Sequence, residues 1–349
     1  MAKRGYTRFT IEEREILFKR IAEGKSQESI AKELSRDPST ISREIRRNGM
    51  CRSTYRLSCA EKHAKQESLK RKKKFKLIEN QELASFVEKK LKERWSPEQI
   101  AGFLKKEHPN SPKKHISHET IYRHIYFVVN KEDRELLANC LRQSRKRRKP
   151  RKRVGGKRTK IRNLVPIHNR PSEVEEREKP GHWEGDLIIG KDHKSAIGTL
   201  LERTSGYIIT IPFGRDYTTK NVVLGFAAAL GILPAHMKKS LTYDRGTEMA
   251  GHEIFTMITE IPVFFADPYS PWQRGSNENG NGLIRDYLPK GTDFRLIPDE
   301  QILEISRHLN IRPRKRLDFF DPSTLMEWFC QNKGKTKSQF YTYAYPSAL

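Results

Sequence analysis

The sequence has little of what marks secreted and membrane proteins. Four cysteines in 349 residues are too few for a disulfide framework, which favours reduced thiols in a cytosol. The longest apolar run, residues 222–235, is too short to span a bilayer, and the polar, charged start is unlike a signal peptide. Cys51, Cys59 and His63 could supply three zinc ligands, but their spacing fits no common zinc finger and a fourth ligand is missing. These absences predict a cytoplasmic protein with no membrane segment.

Acidic residues are also scarce relative to basic ones. Lys and Arg number 69 against 43 Asp and Glu, which gives a net charge of +26. This excess indicates a polyanionic partner, either a nucleic acid or a membrane surface, because Lys and Arg bind phosphates and release counterions. The densest run, in residues 142–165, predicts an extended basic linker rather than a folded segment. This linker is interpreted as a contact to the DNA backbone through Arg145, Arg147 and Arg148. The alternative is a linker that is merely solvated.

The first 50 residues are predicted to form three short helices. Thr10 and Glu13 match a capping box at the start of the first helix. Ser26 is expected to cap the second helix, and Asp37 the third, whose first residue is a proline. Two helices joined by about four residues, the second short and basic, are typical of a helix-turn-helix.

The third of these helices is predicted to have one apolar and one basic face. Ile41 and Ile45, four residues apart, are expected to point inward. The opposite face would meet bases and phosphates, although a plain three-helix bundle with a solvated basic face is the alternative. The expected DNA-contacting residues are Ser39, Thr40, Arg43 and Arg47.

A second, weaker helix-turn-helix pattern lies within residues 51–141. Ser96 is expected to cap one helix and Ser117 another, with a nine-residue connection that is longer than an ordinary turn. Ile121 and Ile125 are predicted to face inward. The residues predicted to face outward, of which the first two are expected to contact DNA, are Thr120, Arg123 and His124.

From about residue 175 the pattern changes to alternating strands and helices. "GHWEGDLIIG" and the hairpin "AIGTLLERTSGYIITIPF" predict a meander of three strands, and "KSLTYD" and "PVFFA" predict two more strands between helices. The fold class is therefore a mixed α/β sheet preceded by all-α modules. The predicted domains are residues 1–50, 51–141, 142–165, 175–332 and a tail at 333–349.

Three acids in this second half form a candidate site. Asp186 interrupts an apolar strand, Asp244 ends another strand, and Glu278 follows after 33 intervening residues on a predicted helix. An unpaired carboxylate inside a strand is costly, and ligands collect beyond strand ends in open α/β sheets. If the three converge, their oxygens could bind two divalent cations that promote attack on a phosphodiester.

The helix that carries Glu278 is poor in good helix formers. It is predicted to continue to Leu288 and to stop at Pro289. Arg285 lies seven residues, or about two turns, beyond Glu278, so both are expected on one face. The hypothesis for the small side chains is that they let DNA approach closely. These small residues are Asn277, Gly280, Asn281 and Gly282.

Several long blocks resemble the IS30 family of bacterial insertion-sequence transposases. They are "GHWEGDLIIG", "TYDRGTEMA", "PYSPWQRGSNENGNGLIRDYLPKGTDF", the later "LNIRPRKRLDFFDPSTL" and the N-terminal "FTIEEREIL…SIAKELSRDPSTISREIRRN". The resemblance implies an RNase H-like core whose three metal-binding acids fall on Asp186, Asp244 and Glu278, with the family's following basic residue on Arg285. Gly280 and Ile311 depart from the family pattern but do not touch the acids.

This resemblance implies a DNA transposase that binds the terminal inverted repeats of its element. It would cleave the ends with two Mg²⁺ ions, for which Mn²⁺ can substitute, and join the freed 3′-OH to target DNA. A homodimer or larger assembly on DNA and a nucleoid-associated location are expected. One alternative is a helix-turn-helix regulator that has lost catalysis. The other is a nuclease specific for DNA junctions or RNA–DNA hybrids.

Overall fold

A computed structural model describes residues 9–49, 51–70, 76–141, 161–268 and 270–345 of the chain. The chain divides into two compact units, residues 1–79 and residues 80–349. The domain limits given above stay predictions, because compactness alone does not define which part carries which function.

The first unit is all-helical and begins with the predicted capping box. The hydroxyl of Thr10 accepts from the N–H of Glu13, whose carboxylate accepts from the N–H of Thr10, so this prediction is confirmed. Ser26 caps the second helix as predicted, and Asp37 accepts from the N–H of Ser39 at the start of the third. The helices are α1 (Ile11–Ala22), α2 (Gln27–Glu33), α3 (Pro38–Gly49), α4 (Leu57–Lys70) and α5 (Lys76–Glu79).

A small apolar core holds α1 to α4 together. Ile41 and Ile45 are buried in it, as predicted, together with Leu17 of α1 and Ile30 of α2. Glu44 is also buried, and its carboxylate is 2.7 Å from the guanidinium of Arg14. The opposite face of α3 is consequently left to its basic and hydroxyl residues.

The second unit starts with a further helical module. Ser96 and Ser117 cap its helices as predicted, and Ile121 and Ile125 are buried. His124 was predicted to face outward, but this is wrong, because His124 lies three residues after Ile121 on the helix and so shares the buried face of Ile121 and Ile125. The helices are α6 (Gln81–Lys92), α7 (Pro97–Glu107), α8 (His118–Arg123) and α9 (Lys131–Asn139).

A six-stranded mixed sheet forms the centre of the second unit, in the order β1-β6-β5-β2-β3-β4. Strands β2, β3 and β4 form the predicted antiparallel meander, and β5, β6 and β1 add parallel strands on the other side of β2. This is the mixed sheet that the strand pattern predicts, and it agrees with the RNase H-like core that the family resemblance implies. The strands are β1 (Val165–Pro166), β2 (His182–Ile189), β3 (Ala196–Glu202), β4 (Ile208–Gly214), β5 (Ser240–Tyr243) and β6 (Val263–Phe265).

Helices cover both faces of this sheet, so each face has its own apolar core. Phe226 and Phe255 pack against one face with Trp183 of β2, whereas Leu283 and Ile305 pack against the other with Ile188 of β2. Since side chains alternate along a strand, the even-numbered residues of β2 share the second face. The helices are α10 (Glu173–Glu176), α11 (Thr219–Gly231), α12 (His252–Thr259), α13 (Gly275–Arg285), α14 (Asp299–Asn310), α15 (Pro322–Gln331) and α16 (Lys337–Ala344).

Helix α13 ends earlier than the sequence predicts. It stops at Arg285 rather than Leu288, and the next three residues tighten into turns in which the N–H of Tyr287 bonds to the carbonyl of Ile284. Over the described ranges, no helix is both long and apolar enough to cross a membrane.

Candidate active site

The pairing of β2 with β5 brings two of the predicted acids together. In this parallel pair Glu184 lies opposite Thr242. Continuing the same register by two residues sets Asp186 on β2 beside Asp244, which directly follows β5. The sheet itself therefore fixes the two residues as neighbours, although 57 residues separate them in the sequence.

A guanidinium group lies between the two carboxylates. Arg274 is 3.7 Å from Oδ1 of Asp186 through Nη1 and 3.2 Å from Oδ2 of Asp244 through Nη2. Its Nη1 also donates to the carbonyl of Gly185, and the side chain is largely buried. Arg274 ends the single helical turn that precedes α13, so the start of this helix is tied to both acids.

Asp186 is held by further hydrogen bonds. Its Oδ2 accepts from Nδ2 of Asn281 at 2.8 Å, and its Oδ1 accepts from the N–H of Leu187. The amide of Asn281 is itself oriented, because its Oδ1 accepts from the hydroxyl of Thr199 at 3.0 Å. Burial raises the pKa of Asp186 to about 6, against the opposing effect of Arg274. This carboxylate is consequently fixed in direction and costly to charge without a cation.

Helix α13 runs along β2 with regular spacing. Four helix residues advance by about 6 Å and two strand residues by about 6.7 Å, so equivalent positions stay in register over the first turns. Contacts at every fourth residue of the helix reach residues 184, 186 and 189 of the strand, so the two-residue step holds for the first pair and widens to three residues at the end of the helix. The contacts are Asn277 N–H with Glu184, Asn281 Nδ2 with Asp186, and Arg285 Nη2 with the carbonyl of Ile189.

Glu278 lies on α13 beside this row of contacts. Its neighbours along the row, Asn277 and Asn281, contact β2 on either side of it, which sets the Glu278 backbone close to Asp186. The Glu278 side chain is exposed and forms no hydrogen bond or ion pair with the residues that the structure describes. The Glu278 carboxylate is therefore unengaged, whereas Asp186 and Asp244 already contact Arg274.

The small side chains of α13 face the sheet rather than solvent. Asn277 and Gly280 are buried, and a Cβ on Gly280 would lie 2.7 Å from a methyl of Leu201. Asn281 is turned to Asp186. The hypothesis that small residues keep the surface clear for DNA is wrong for Asn277, Gly280 and Asn281, because their size instead allows α13 to approach β2 and β3 closely. For Gly282, which is partly buried, it stays a prediction.

A buried ion-pair network lies at the other end of the α13–β2 contact. Glu184 is fully buried, and its carboxylate pairs with Arg203 and accepts from the N–H of Asn277 in the first turn of α13. Arg203 also bonds to Glu175, which pairs with Arg170. Because the first N–H groups of a helix have no partner within the helix, Glu184 stabilises the start of α13.

Three residues at this site escaped the sequence reasoning. Arg274 precedes Glu278 by four residues and ends the turn that leads into α13. Asn281 was considered only for its small size. Glu248, in the turn after Asp244, is mostly buried, and burial raises its pKa. Its hydrogen-bond partner is the hydroxyl of Tyr243. The spacing of four residues between Asp244 and Glu248 was the available signal for this additional acid.

The donor atoms that converge here are all oxygens, which suits hard divalent cations such as Mg²⁺. A positive group, the guanidinium of Arg274, already bridges Asp186 and Asp244, so the pair is shaped to hold a cation. Within the described ranges no three His, Cys, Asp or Glu residues are grouped so as to hold a metal ion. The structure therefore brings Asp186 and Asp244 together but not Glu278 with them, and Cys51, Cys59 and His63 do not form such a group either.

The predicted DNA-contacting residues are distributed over both units. On α3, Ser39, Arg43 and Arg47 are exposed and Thr40 is partly exposed. On α8, Arg123 is exposed and Thr120 is partly exposed. Arg285 is half-buried, with Nη2 at 2.6 Å from the carbonyl of Ile189. Three predicted linker residues lie outside the described ranges, namely Arg145, Arg147 and Arg148.

Comparison with known proteins agrees with this arrangement. Residues 6–48 match a family described as a helix-turn-helix domain. The transposase for insertion sequence element IS1086 of Cupriavidus metallidurans is 42% identical over 301 residues, 86% of this chain and 88% of that protein. The transposase InsI for insertion sequence element IS30A of Escherichia coli K12 is 40% identical over 329 residues, 93% of this chain and 85% of that protein.

Among solved structures, the catalytic core domain of BIV integrase covers 47% of this chain and 98% of its own, at 18% identity and a TM-score of 0.33. The two transposases are each at least 40% identical to this chain and match it over 88% and 85% of their own length. The chain therefore belongs to the IS30 family of insertion-sequence transposases.

Proposed function

We propose that this transposase binds the terminal inverted repeats of its own element and cuts and rejoins DNA at the Asp186–Asp244–Glu278 site. The observation that carries the proposal is the convergence of Asp186 and Asp244 on one cationic group, with Glu278 exposed on the adjacent helix. Carboxylates on neighbouring strands around a cation are what a metal-assisted phosphoryl transfer needs.

Each acid has a distinct part in this proposal. Asp186 and Asp244 supply oxygen ligands from fixed positions, because the sheet register sets their backbones side by side. Asn281 orients the carboxylate of Asp186, and the N–H of Gly246 orients that of Asp244. Glu278 completes the ligand set from α13. Its exposed side chain would turn toward Asp186 and Asp244 when the ions bind. Two Mg²⁺ ions, which Mn²⁺ can replace, would supply Lewis acidity for in-line attack on a phosphodiester.

The helical modules supply recognition in this proposal. Ser39, Thr40, Arg43 and Arg47 present hydroxyl and guanidinium groups along the exposed face of α3, a surface suited to base edges and phosphates in a major groove. The second module adds contacts through its own exposed face. The further proposed contacts to the DNA backbone are those of Thr120, Arg123, Arg145, Arg147, Arg148 and Arg285.

The protein would act in the cytoplasm, at the nucleoid. Since two element ends must be held together for joining, the active species is a homodimer or a larger assembly on DNA. Water and then the freed 3′-OH would be the successive nucleophiles at one site, so that cleavage and strand transfer use the same residues.

The proposal is tested with full-length protein and duplexes that carry the ends of its element, with Mg²⁺ and mapping of cuts at nucleotide resolution. Wild type should cut at the element ends. Asp244→Asn should bind the duplex equally well yet cut about a thousandfold more slowly, because it loses several kcal/mol of transition-state stabilisation. Asp299→Asn, which removes an exposed acid at the start of α14, is the matched control and should cut normally.

Two outcomes would reject this function in favour of its rivals. Tight binding of the element ends without cutting by wild type would identify a regulator with an inert α/β domain. Cutting of junctions or RNA–DNA hybrids without regard to element ends would identify a structure-specific nuclease.

A further inference from the structure

We infer that Arg274 is an internal counterion that holds the Asp186–Asp244 pair together in the DNA-free protein and that a divalent cation must displace. The inference rests on the proposed function, because it takes these two acids as metal ligands. It adds a residue with a defined task to the site, since nothing in the acid motif itself calls for an arginine at this position.

The contacts of Arg274 are those of a bridging cation. Its two terminal nitrogens are divided between the carboxylates, at 3.7 Å from Asp186 and 3.2 Å from Asp244. A third bond to the carbonyl of Gly185 fixes the plane of the group, and the side chain is only 14% exposed. The planar fork of a guanidinium suits this double contact, which a single ammonium group would satisfy less well.

Displacement follows from charge. A divalent cation that binds both carboxylates would occupy the space between them, where the guanidinium now lies. Two positive groups in that space repel each other strongly in a partly buried setting. In the DNA-free protein the divalent cation therefore competes with the Arg274 guanidinium for the two carboxylates. The binding free energy of the ion is less favourable by the free energy of the Arg274 contacts that it must break.

The place of Arg274 in the chain links this competition to the third acid. Arg274 ends the turn over residues 271–274, and Glu278 follows four residues later in the first turns of α13. While Arg274 bridges the strand acids, the start of α13 is anchored and Glu278 stays apart from them. Release of Arg274 frees the turn over residues 271–274, while Glu184 still holds the first turn of α13, so the side chain of Glu278 can join the ligand set from a fixed helix.

The test is titration of DNA-free, full-length protein with Mn²⁺, with the free ion measured by electron paramagnetic resonance. Arg274→Gln should bind Mn²⁺ about tenfold more tightly than wild type, a difference of about 1.4 kcal/mol. Arg274→Lys, which keeps the charge but loses the fork, should lie between them. Circular dichroism of each variant establishes that it is folded.

Arg245→Gln is the matched control. Arg245 directly follows Asp244 in sequence, but its guanidinium pairs with Asp267 at 3.6 Å and donates to the carbonyl of Ala266. The variant removes the same charge from the neighbouring position and should bind Mn²⁺ as wild type does. A gain as large as that of Arg274→Gln would show a general charge effect and overturn the inference.

Two further results separate this inference from the proposed function. Adding Asp186→Asn and Asp244→Asn to Arg274→Gln should abolish the gain, and a gain that survives would place the ion elsewhere and overturn the inference. If Arg274→Gln does not tighten Mn²⁺ binding while Asp244→Asn still abolishes cleavage, the inference fails and the proposed function stands. If Asp244→Asn cleaves normally, the proposed function fails with it.

Discussion

The two halves of strand β2, residues 182–185 (the inner half) and 186–189 (the outer half), each carry an acid, and the two acids differ in burial and in how they are paired. Glu184, in the inner half, is fully buried, pairs with Arg203 and caps the first turn of α13. Asp186, in the outer half, is 23% exposed and is bridged to Asp244 by Arg274 across a longer contact. Both acids lie on the same face of one strand, two residues apart, and both contact the same helix.

The difference shows how one strand separates anchoring from chemistry. In the inner half every charge has a close partner inside the protein, so the group is committed to holding α13 in place. In the outer half the carboxylates meet at the end of the paired strands, where a partner can be exchanged. The contact of Glu184 with α13 stays fixed, whereas Arg274 can be replaced as the partner of Asp186 and Asp244. The site can therefore keep its geometry when a ligand binds.

The largest expected contrast is between Glu184→Gln and Asp186→Asn. Glu184→Gln removes the fully buried one of the two carboxylates that pair with Arg203 and leaves only Glu175, so it should lower the free energy of unfolding by about 3 kcal/mol. Asp186→Asn can keep the bond from Asn281 but loses the bond from the N–H of Leu187, and it removes a carboxylate that burial makes costly to charge, so the two effects offset and stability should change by about 1 kcal/mol or less. Guanidinium unfolding followed by circular dichroism measures both values.

Activity should divide the same two variants in the opposite sense. Asp186→Asn should lose cleavage although it stays folded, whereas any Glu184→Gln protein that remains folded at low temperature should retain part of it. Equal losses of stability would mean that the inner and outer halves do not differ as described.

The pH dependence of the unfolding free energy tests whether His182, in the inner half of β2, is buried in its neutral form. His182 begins β2, and burial, with the charge of Lys239, lowers its pKa from 6.5 to about 4. Because the folded state holds this proton less tightly than the unfolded chain, the stability it contributes is complete above pH 6.5 and is lost as the pH falls toward 4. At pH 5 the loss should be about 2 kcal/mol relative to pH 7.

His182→Gln is the variant that isolates this contribution. It retains a side chain able to bond to Ser240, the partner of Nδ1 in β5, but it does not titrate. Its unfolding free energy should fall less between pH 7 and pH 5 than that of wild type, by about the same 2 kcal/mol. A wild-type curve that is flat over this range would contradict the buried, neutral state of His182.

The sequence predicted most of this framework because its signals are local. Strand alternation, helix caps and the spacing of Ile41 and Ile45 depend on residues within one or two turns, and the structure confirms them. The acids on β2 and β5 were found as candidates for the same reason. Asp186 and Asp244 interrupt or end apolar strands, which is visible without knowledge of the fold.

What the sequence could not show is pairing across the fold. The bridge by Arg274 depends on the position of the turn before α13 relative to two strands, and the Glu184–Arg203 pair depends on the hairpin. The inward position of His124 was available from the sequence, because it lies three residues after Ile121, but its polar side chain was taken as a sign of exposure. The role of the small residues in α13 was misjudged because the sequence does not say which face meets the sheet.

Gly280 gives the smallest effect and the most direct test of that correction. A methyl group at this position would lie 2.7 Å from Cδ1 of Leu201, a buried residue of β3, so Leu201 must shift. Gly280→Ala gains helix propensity of about 1 kcal/mol but pays for overpacking, with a net loss of about 1 kcal/mol of stability. Gly275→Ala, in the same helix with open space around it, should lose nothing.

A second substitution decides whether the close approach to the sheet is the cause. Leu201→Val alone should destabilise by about 1 kcal/mol, because it removes a buried methylene. Combined with Gly280→Ala it makes room for the new methyl group, so the double variant should be more stable than the sum of the single effects by about 1 kcal/mol. Strictly additive losses in urea unfolding would show that Gly280 does not serve the contact between α13 and β3. The need for a small residue at position 280 would then have to come from DNA that binds next to the outer half of β2.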